Sequence, residues 1–406
     1  MDKNQAQHQK YMQRALNLAA QPLGLVSPNP YVGAVIVKNN KIIGEGYHHQ
    51  AGAPHAEINA LRNAGANARD ATIYVTLEPC NHHGRTGPCT QALIDAGIRC
   101  VIYALEDPNP LVSGQGLARL VAAGIKVFKI EAQECLDQSV FLNRIFIHNQ
   151  QENIARPYVI LKAALSLDGK LATQDYDSKW ITTDAARQKA HYFRQQCDAI
   201  LIGRGTLLSD NPNLTVRIDA ISKSLIKNPI RIVLLSDFSE ITKNLNILDT
   251  TLARTLFIYP NTTAIDADLV EMLRSKQVEM IACNLPTLKD NLDNKNKLDI
   301  KEVLNILKKL NIHSVLIEGG PAIHSAFLEA QCVDELALFY GARLIGAKNA
   351  PSLWDTSNIH ALGDAPFINI IETERLDQNV FIHGLMPHIQ EHDAQEHHAQ
   401  EPKKGE

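Results

Sequence analysis

Two spacings of apolar residues alternate along the chain. Short runs rich in β-branched and aromatic residues, YVGAVIV at 31–37, TIYVTL at 72–77, CVIYAL at 100–105 and IKVFKI at 125–130, read as strands. Between them the wider spacing of helices appears around 8–20, 55–65, 89–96 and 116–123. The alternation resumes further on, with YVILKAALS, DAILIG, IRIVLLS, TLFIYP, VEMIAC, HSVLIEG and DELALFY as strands. One intervening helix shows its face directly, since Ile300, Val303, Leu304, Leu307 and Leu310 fall on a single side. Such alternation predicts α/β layers in both halves. The stretch HNQQENIARP breaks the pattern with polar residues and a closing proline, so one domain is expected over 1–150 and another over 151–386. Residues 387–406 hold almost no large apolar side chain and are expected to form a disordered tail, whose His388, His392, His397 and His398 are solvated rather than metal-binding.

Composition narrows the function. A length of 406 residues suits two or three domains of about 150 each. The net charge of -4 gives no broad basic footprint, so no nucleic-acid partner is expected. Nothing approaches the roughly 20 apolar residues that span a bilayer. The opening MDKNQAQHQKYMQRAL lacks the apolar core of a secretory signal, so no membrane partner and a cytoplasmic location are expected. Seven cysteines, an odd and scattered number, do not form a disulfide framework. In a reducing compartment, clustered cysteines suggest metal.

One cluster stands out. HAEINALRN sets His55 and Glu57 two apart at the mouth of a helix, and LEPCNHHGRTGPCTQAL adds Cys80 and Cys89 one strand later. Catalytic zinc takes three protein ligands and keeps a fourth position for water, so His55, Cys80 and Cys89 make an open site. Glu57 is left to take a proton from that water and deliver it to a ring nitrogen and a leaving amine, which is hydrolytic deamination. Pro54 and Pro88 suit the first turns of the two helices, and a helix dipole there favours the Cys89 thiolate. His48, His49, His82 and His83 lie close enough in sequence to compete as ligands, a closed structural zinc site is the bland alternative, and iron is the competing metal. In the second half GRGTLL offers Gly203 and Gly205 but puts Leu208 where a third phosphate-loop glycine would stand. VLIEGGPAIHSAF is more telling, with a strand ending at Glu318, two glycines and a helix opened by Pro321, where backbone amides can cradle a phosphate.

The H-x-E, P-C and second cysteine resemble the zinc deaminase signature, except that eight residues separate the cysteines in CNHHGRTGPC where two are usual. That insertion resembles the bifunctional deaminase/reductase family of riboflavin biosynthesis, whose loop ends in P-P-C; here Gly87 replaces the first proline. With SPNPYVGAVIV, GYHHQAGAPHAE, LKAALSLDGKLA, SKWITT and GRGTLLSDNPNLTVR, the resemblance runs from Tyr11 to Leu385. It implies a cytidine-deaminase-like three-layer α/β domain followed by a dihydrofolate-reductase-like one. It also implies Zn2+, NADPH and a small diaminopyrimidinone ribosylamine 5'-phosphate, deaminated first and then reduced from ribosyl to ribityl. By the same resemblance Asn29 and His48 contact the pyrimidine and Arg85 lies near the phosphate. Ala164, Trp180, Thr206, Asp210, Gly320, Pro321, Ala322, Ile323, His324, Ser325 and Ala326 line the NADPH site. Ser178, Arg194, Leu214, Arg217 and Glu318 meet the second substrate, and the fork geometry of the two arginines suits a phosphate monoester. Lys162 polarises the sugar as hydride arrives. A homo-oligomer is expected. Asp168 and Lys170 belong to the pattern without an evident physical role. Two rival classes remain: a nucleic-acid deaminase with a C-terminal binding module, which needs more stacking aromatics than 5%, and a non-catalytic zinc-stabilised protein, in which Glu57 is dispensable.

Overall fold

A computed structural model describes residues 3–81, 87–109, 112–284, 298–356 and 358–387. The chain separates into two compact units, Met1–Ala155 and Arg156–Glu406.

The first unit contains strands β1 (Gly33–Lys38), β2 (Lys41–Tyr47), β3 (Thr72–Leu77), β4 (Cys100–Leu105) and β5 (Lys126–Lys129). Its helices are α1 (Lys3–Ala19), α2 (Ala56–Ala64), α3 (Cys89–Asp95), α4 (Gln115–Ala122), α5 (Gln133–Leu142) and α6 (Arg144–Gln150). The sheet order is β2-β1-β3-β4-β5, antiparallel at β2-β1-β3 and parallel from β3 to β5. Alternating strand residues bury on opposite faces. Val35, Tyr74 and Ile102 meet Met12 and Leu16 of α1 and Cys135 of α5, whereas Ile36, Val75 and Val101 meet Ala56 and Ala60 of α2, Leu93 of α3 and Leu120 of α4. The result is a three-layer α/β domain, and each fully buried leucine or isoleucine contributes about 1.5–3 kcal/mol to it.

The apolar pattern does not predict strand β2, because KIIGEGY is interrupted by glycine and glutamate. Those glycines have a packing cause. A Cβ on Gly46 would lie 2.3 Å from the Ala60 nitrogen, and one on Gly44 2.5 Å from the Ala60 carbonyl oxygen. The alanine face of α2 therefore lies directly on the β2 backbone, which fixes where the helix starts.

The second unit holds β6 (Tyr158–Ser166), β7 (Ala199–Gly203), β8 (Ile230–Leu234), β9 (Thr255–Pro260), β10 (Glu279–Cys283), β11 (Ser314–Ile317), β12 (Glu335–Gly341), β13 (Asn369–Leu376) and β14 (Asn379–Leu385). Its helices are α7 (Asp184–Gln196), α8 (Arg204–Asp210), α9 (Ala267–Ser275), α10 (Ile300–Lys309) and α11 (Pro321–Glu329). The nine strands run in the order β10-β9-β8-β7-β11-β6-β12-β14-β13, parallel from β10 through β12 and antiparallel at β12-β14-β13. Ile300, Val303, Leu304 and Leu307 of α10 bury against Val159, Leu161, Val315 and Ile317, as their spacing predicts. The apolar pattern does not predict the terminal hairpin β13–β14, because NIIETERL is exposed almost throughout and carries charges where a buried strand would carry apolar residues. Residues from 388 onward, which are all of the expected disordered tail but Pro387 and include its histidines, lie outside the described residues.

Chain topology selects one end of this sheet. After β7 the strands step outward to β10, and the chain then returns to insert β11 between β7 and β6. Such a reversal opens a crevice at the carboxyl ends of parallel strands, where ligands of α/β sheets bind.

Candidate functional site

In the first unit the candidate metal ligands converge. His55 occupies the N-cap position of α2 in extended backbone, and Cys89 is the first residue of α3. Both prolines stand before the first turns that the sequence suggests, Pro54 one residue ahead of the N-cap and Pro88 at the N-cap itself, φ -61°. Nδ1 of His55 lies 3.5 Å from Cys80 Sγ and 3.3 Å from Cys89 Sγ. A zinc ion with tetrahedral angles and ordinary Zn–S and Zn–N bonds needs these edges to be about 3.5 Å, so the donor set fits that ion. Among the described residues no other group of this kind occurs, and it contains three donors rather than four.

The helix start acts on a different sulfur from the one expected. The Cys89 backbone N–H donates to Cys80 Sγ at 3.4 Å, so α3 favours the Cys80 thiolate directly. A hydrogen bond from Cys89, set against burial, holds Cys80 far below the ordinary thiol range, and the same bond pushes Cys89 up. Glu57 is buried at 3% exposure. Burial first, and the Cys80 sulfur second, raise its carboxyl to about 7. That is the range of a group that both takes and returns a proton near neutrality.

The residues expected on the substrate side of this unit stand beside the candidate ligands. His48 is buried, its ring edge-on to His55 with centroids 5.4 Å apart. Its Nδ1 pairs with the Pro54 carbonyl at 3.2 Å, and its Nε2 lies 3.1 Å from Asn29 Nδ2. Burial lowers the His48 pKa and keeps the ring neutral. Arg85, His82 and His83 lie outside the described residues.

Glu78 is a residue that sequence reasoning missed. Its carboxylate, buried two residues before Cys80, accepts from the backbone N–H groups of Asp107 (3.2 Å), Gly114 (2.9 Å), Gly116 (2.9 Å) and Leu117 (3.4 Å). It ties the Cys80 turn to the start of α4. Gly116 makes this possible, since a Cβ there would lie 2.2 Å from the Pro79 carbonyl oxygen. A glutamate before proline carries no signal of such a role.

In the second unit a charge cluster forms at the crevice. The β11–β6 register sets Ile317 against Leu161, and one step further Glu318 reaches Lys162, with Oε2 3.6 Å from Nζ. Arg194 of α7 grips the same carboxylate with Nε and Nη2 at 2.7 and 2.9 Å, and its Nη1 donates to the Thr215 carbonyl at 2.9 Å. Burial alone would push Glu318 up, but Arg194 and Lys162 outweigh it and hold the carboxyl well below its usual range. Arg217 lies alongside, donating from Nη1 to Thr215 Oγ1 at 3.3 Å. Burial and then repulsion from Arg194 lower its pKa. Arg194 and Lys162 thus share one carboxylate, and Arg217 lies within the field of both Arg194 and Glu318.

The glycine-rich turns meet next to this cluster. A Cβ on Gly203 would lie 2.7 Å from Ile323 Cγ1 and one on Gly319 2.6 Å from Ile323 Cβ, while Gly320 faces Thr206 Oγ1. Gly320 is the N-cap of α11 and Pro321 its first residue; Ala322 is exposed and Ser325 accepts from the Asp355 N–H at 3.1 Å. His324 is buried, and neither ring nitrogen has a partner among the described residues. Ala164 sits on β6 on the same face as Lys162, partly open. Leu214 is buried at φ 54°, and Trp180 is 68% exposed at φ 65° under the Arg187 guanidinium, so Trp180 is not core. Left-handed backbone at such residues costs about 1–3 kcal/mol each. Ser178, Trp180 and Asp210 are exposed, and no contact among the described residues joins them to the cation cluster. Asp168 and Lys170 acquire a role here. Asp168 accepts from Ser166 Oγ and the Ile345 and Gly346 N–H groups, and Lys170 Nζ donates to the Ala350 carbonyl and Ser352 Oγ, so SLDGK fastens the loop after β12 to the end of β6.

Comparison with known proteins covers both units. A family model described as "Cytidine and deoxycytidylate deaminase zinc-binding region" matches residues 5–105, and "RibD C-terminal domain" matches residues 157–381. The riboflavin biosynthesis protein RibD of Bacillus amyloliquefaciens is 38% identical over 91% of this chain and 94% of its own. The solved RibD of Acinetobacter baumannii superposes with a TM-score of 0.80 at 34% identity, covering 95% of this chain and all of the other. A diaminohydroxyphosphoribosylaminopyrimidine deaminase/5-amino-6-(5-phosphoribosylamino)uracil reductase of Thermotoga maritima gives 0.78 at 32% identity and the same coverage.

Proposed function

The chain belongs to the RibD family of bifunctional riboflavin-biosynthesis enzymes, and from that premise we propose how its own residues divide the two reactions. The enzyme deaminates 2,5-diamino-6-(ribosylamino)pyrimidinone 5'-phosphate, then reduces the ribosyl group of the resulting aminouracil to ribityl. Zinc supplies Lewis acidity to the first step and NADPH supplies hydride to the second.

Deamination belongs to Met1–Ala155. His55, Cys80 and Cys89 hold the metal, and the carrying observation is their convergence with buried Glu57 beside them. Glu57 takes a proton from the attacking water and returns it to the ring nitrogen and the leaving amine. Asn29 and His48 orient the pyrimidine, and Arg85 meets its phosphate. Reduction belongs to the second unit. Ala164, Trp180, Thr206, Asp210 and the segment from Gly320 through Ala326 line the NADPH site. Ser178, Leu214 and Glu318 position the aminouracil, Arg194 and Arg217 take its phosphate, and Lys162, paired with Glu318, donates to the sugar oxygen. The excess of cations over carboxylate in that cluster supports a dianionic ligand.

The test follows reduced-nicotinamide absorbance while the protein meets NADPH and the diaminopyrimidinone substrate, beside a Glu57→Gln variant. Oxidation by wild type, loss in the variant, and recovery when the deaminated aminouracil is supplied would establish both sites and their order. An unaffected variant removes the deaminase assignment. A failure to oxidise NADPH with either substrate removes the reductase assignment.

Cytoplasmic residence and a homo-oligomer complete the proposal. Seven free cysteines among the described residues suit a reducing compartment, and no helix there is long and apolar enough to cross a membrane. Strand β13, an exposed sheet edge flanked by Phe367 and carrying Ile370, supports pairing with a second copy. Light scattering at micromolar protein reads the stoichiometry; a monomer mass overturns the oligomer.

A further inference from the structure

His191 has no part in either reaction as assigned so far, yet it stands inside the cation cluster. It lies on α7 one turn before Arg194, on the same helical face. Its Nδ1 accepts from the backbone N–H of Arg217 at 3.3 Å. The ring therefore joins the helix that carries one arginine to the segment that carries the other. Both guanidiniums also meet at Thr215, Arg194 through the carbonyl at 2.9 Å and Arg217 through Oγ1 at 3.3 Å.

Accepting at Nδ1 fixes where the imidazole proton sits. A neutral ring whose Nδ1 lone pair is engaged carries its hydrogen on Nε2, and a second proton would have to displace the Arg217 N–H. The surroundings oppose that second proton. Burial first, then the charges of Arg194 and Arg217, lower the His191 pKa to about 3, with Lys162 adding to them and only Glu318 opposing. Among the described residues the ring makes no further hydrogen bond. His191 is thus a neutral N–H donor within the field of both arginine charges. For a phosphate monoester this is a useful complement, because it adds a directional donor without adding repulsion between cations.

We propose that His191 is a third ligand of the substrate's phosphate group in the reductase unit, donating from Nε2 beside Arg194 and Arg217. The inference rests on the assignment of those two arginines to the phosphate. It makes the site selective for a phosphorylated ribosylamine through geometry as well as charge.

The test is a pair of substitutions read on two substrates. His191→Asn places a carboxamide oxygen near the Nδ1 position, keeping an acceptor for the Arg217 N–H, and removes the Nε2 donor. His191→Gln extends an amide nitrogen toward the Nε2 position. Reductase kinetics are measured with the 5'-phosphorylated aminouracil and with its dephosphorylated form, and inorganic phosphate is titrated as a competitor. We expect His191→Asn to raise KM for the phosphorylated substrate roughly tenfold, the worth of one hydrogen bond to a charged acceptor, and to weaken phosphate inhibition alike. Its kcat and its KM for the dephosphorylated substrate should stay within about twofold, and His191→Gln should recover part of the loss. Equal KM changes on both substrates would show that His191 only holds the Arg217 segment, which overturns the proposal. A wild type that discriminates while His191→Asn discriminates equally well also overturns it and spares the arginines. A wild type that treats both substrates alike and ignores phosphate brings down the arginine assignment and this proposal together. Should either variant fail to fold, the ring 15N shifts of the wild-type protein decide: Nε2 must move on adding phosphate, and a static Nε2 overturns the proposal.

Discussion

The two sites are assembled at different scales. The proposed deaminase centre lies between His55 and Cys89, where two helix starts and one strand end bring a histidine, two cysteines and a glutamate together. The reductase cluster draws on Lys162 of β6, Arg194 of α7, Arg217 of a loop and Glu318 at the end of β11, and it exists because β11 inserts between β6 and β7. On the proposed assignment the charge-bearing groups of the first site are ligands and proton carriers whose partner is an ion. In the second they are mostly one another's partners, and the reacting hydride comes from elsewhere. The lesson is that a metal site tolerates few substitutions because each donor is chemically unique, whereas an ion-pair site fails by leaving its survivors unpaired.

The sharpest way to break this comparison is Glu57→Gln. Deamination should fall by about 10³–10⁴, at the upper end for loss of a positioned acid/base, while NADPH oxidation with the aminouracil stays at the wild-type rate. Ammonia release and nicotinamide absorbance read the two halves separately; a parallel loss of both would mean that the units are not independent.

Glu318→Ala should be next in size and should act through stability. It leaves Arg194 and Lys162 without their buried carboxylate, a change that destabilises by about 3–5 kcal/mol. Thermal or urea unfolding of the second unit should report it, with zinc content and deamination unchanged. A variant as stable as wild type would mean that the carboxylate had been stabilising nothing.

Acid should separate the units further. Burial lowers the His324 pKa to about 4, below the value of about 6.5 that an unfolded histidine shows. Between those values the unfolded chain binds the extra proton, so the neutral ring's contribution is intact above pH ~6.5 and is lost as pH falls toward 4, by on the order of 2–3 kcal/mol. Melting profiles from pH 7 to 4 should therefore steepen for the second unit. His324→Leu should flatten that slope and, by removing two unpartnered ring nitrogens, should not lower the melting temperature at pH 7. An unchanged slope points to another group.

The smallest effect probes the frame of the metal site. Gly116→Ala forces a methyl against the Pro79 carbonyl and the Glu78 carboxylate, costing about 1–3 kcal/mol by overpacking. Because that cradle holds the turn before Cys80, zinc should bind several-fold more weakly, as competition with a chelator would show. Wild-type zinc affinity would confine Glu78 to loop stability.

Much of this was present in the linear pattern. Strands β3, β4, β6 and β9 coincide with their apolar runs, and the α10 face lies where its spacing puts it. The convergence of His55, Cys80 and Cys89 was legible because histidine and cysteine carry their donor chemistry in their identity. Strand β2 escaped because its glycines answer to the α2 backbone, and β13 because an exposed strand need not be apolar. Glu78, His191 and Asp168 escaped as functional partners for one shared reason: each binds backbone groups that are distant in the chain, and a side chain does not advertise which remote N–H it will meet.

The sequence alone determined the layered α/β class, the candidate donor set for zinc and the pair of reactions that its motifs resemble, since local periodicity and side-chain chemistry are properties of residues and their near neighbours. Tertiary structure decided which thiolate the α3 start favours, which carboxylate neutralises Arg194 and Lys162, and which nitrogen of His191 keeps its proton. Those outcomes depend on distances of about 3 Å between groups far apart in the chain, because hydrogen bonds and buried charges act only at contact range, and contact is what folding creates.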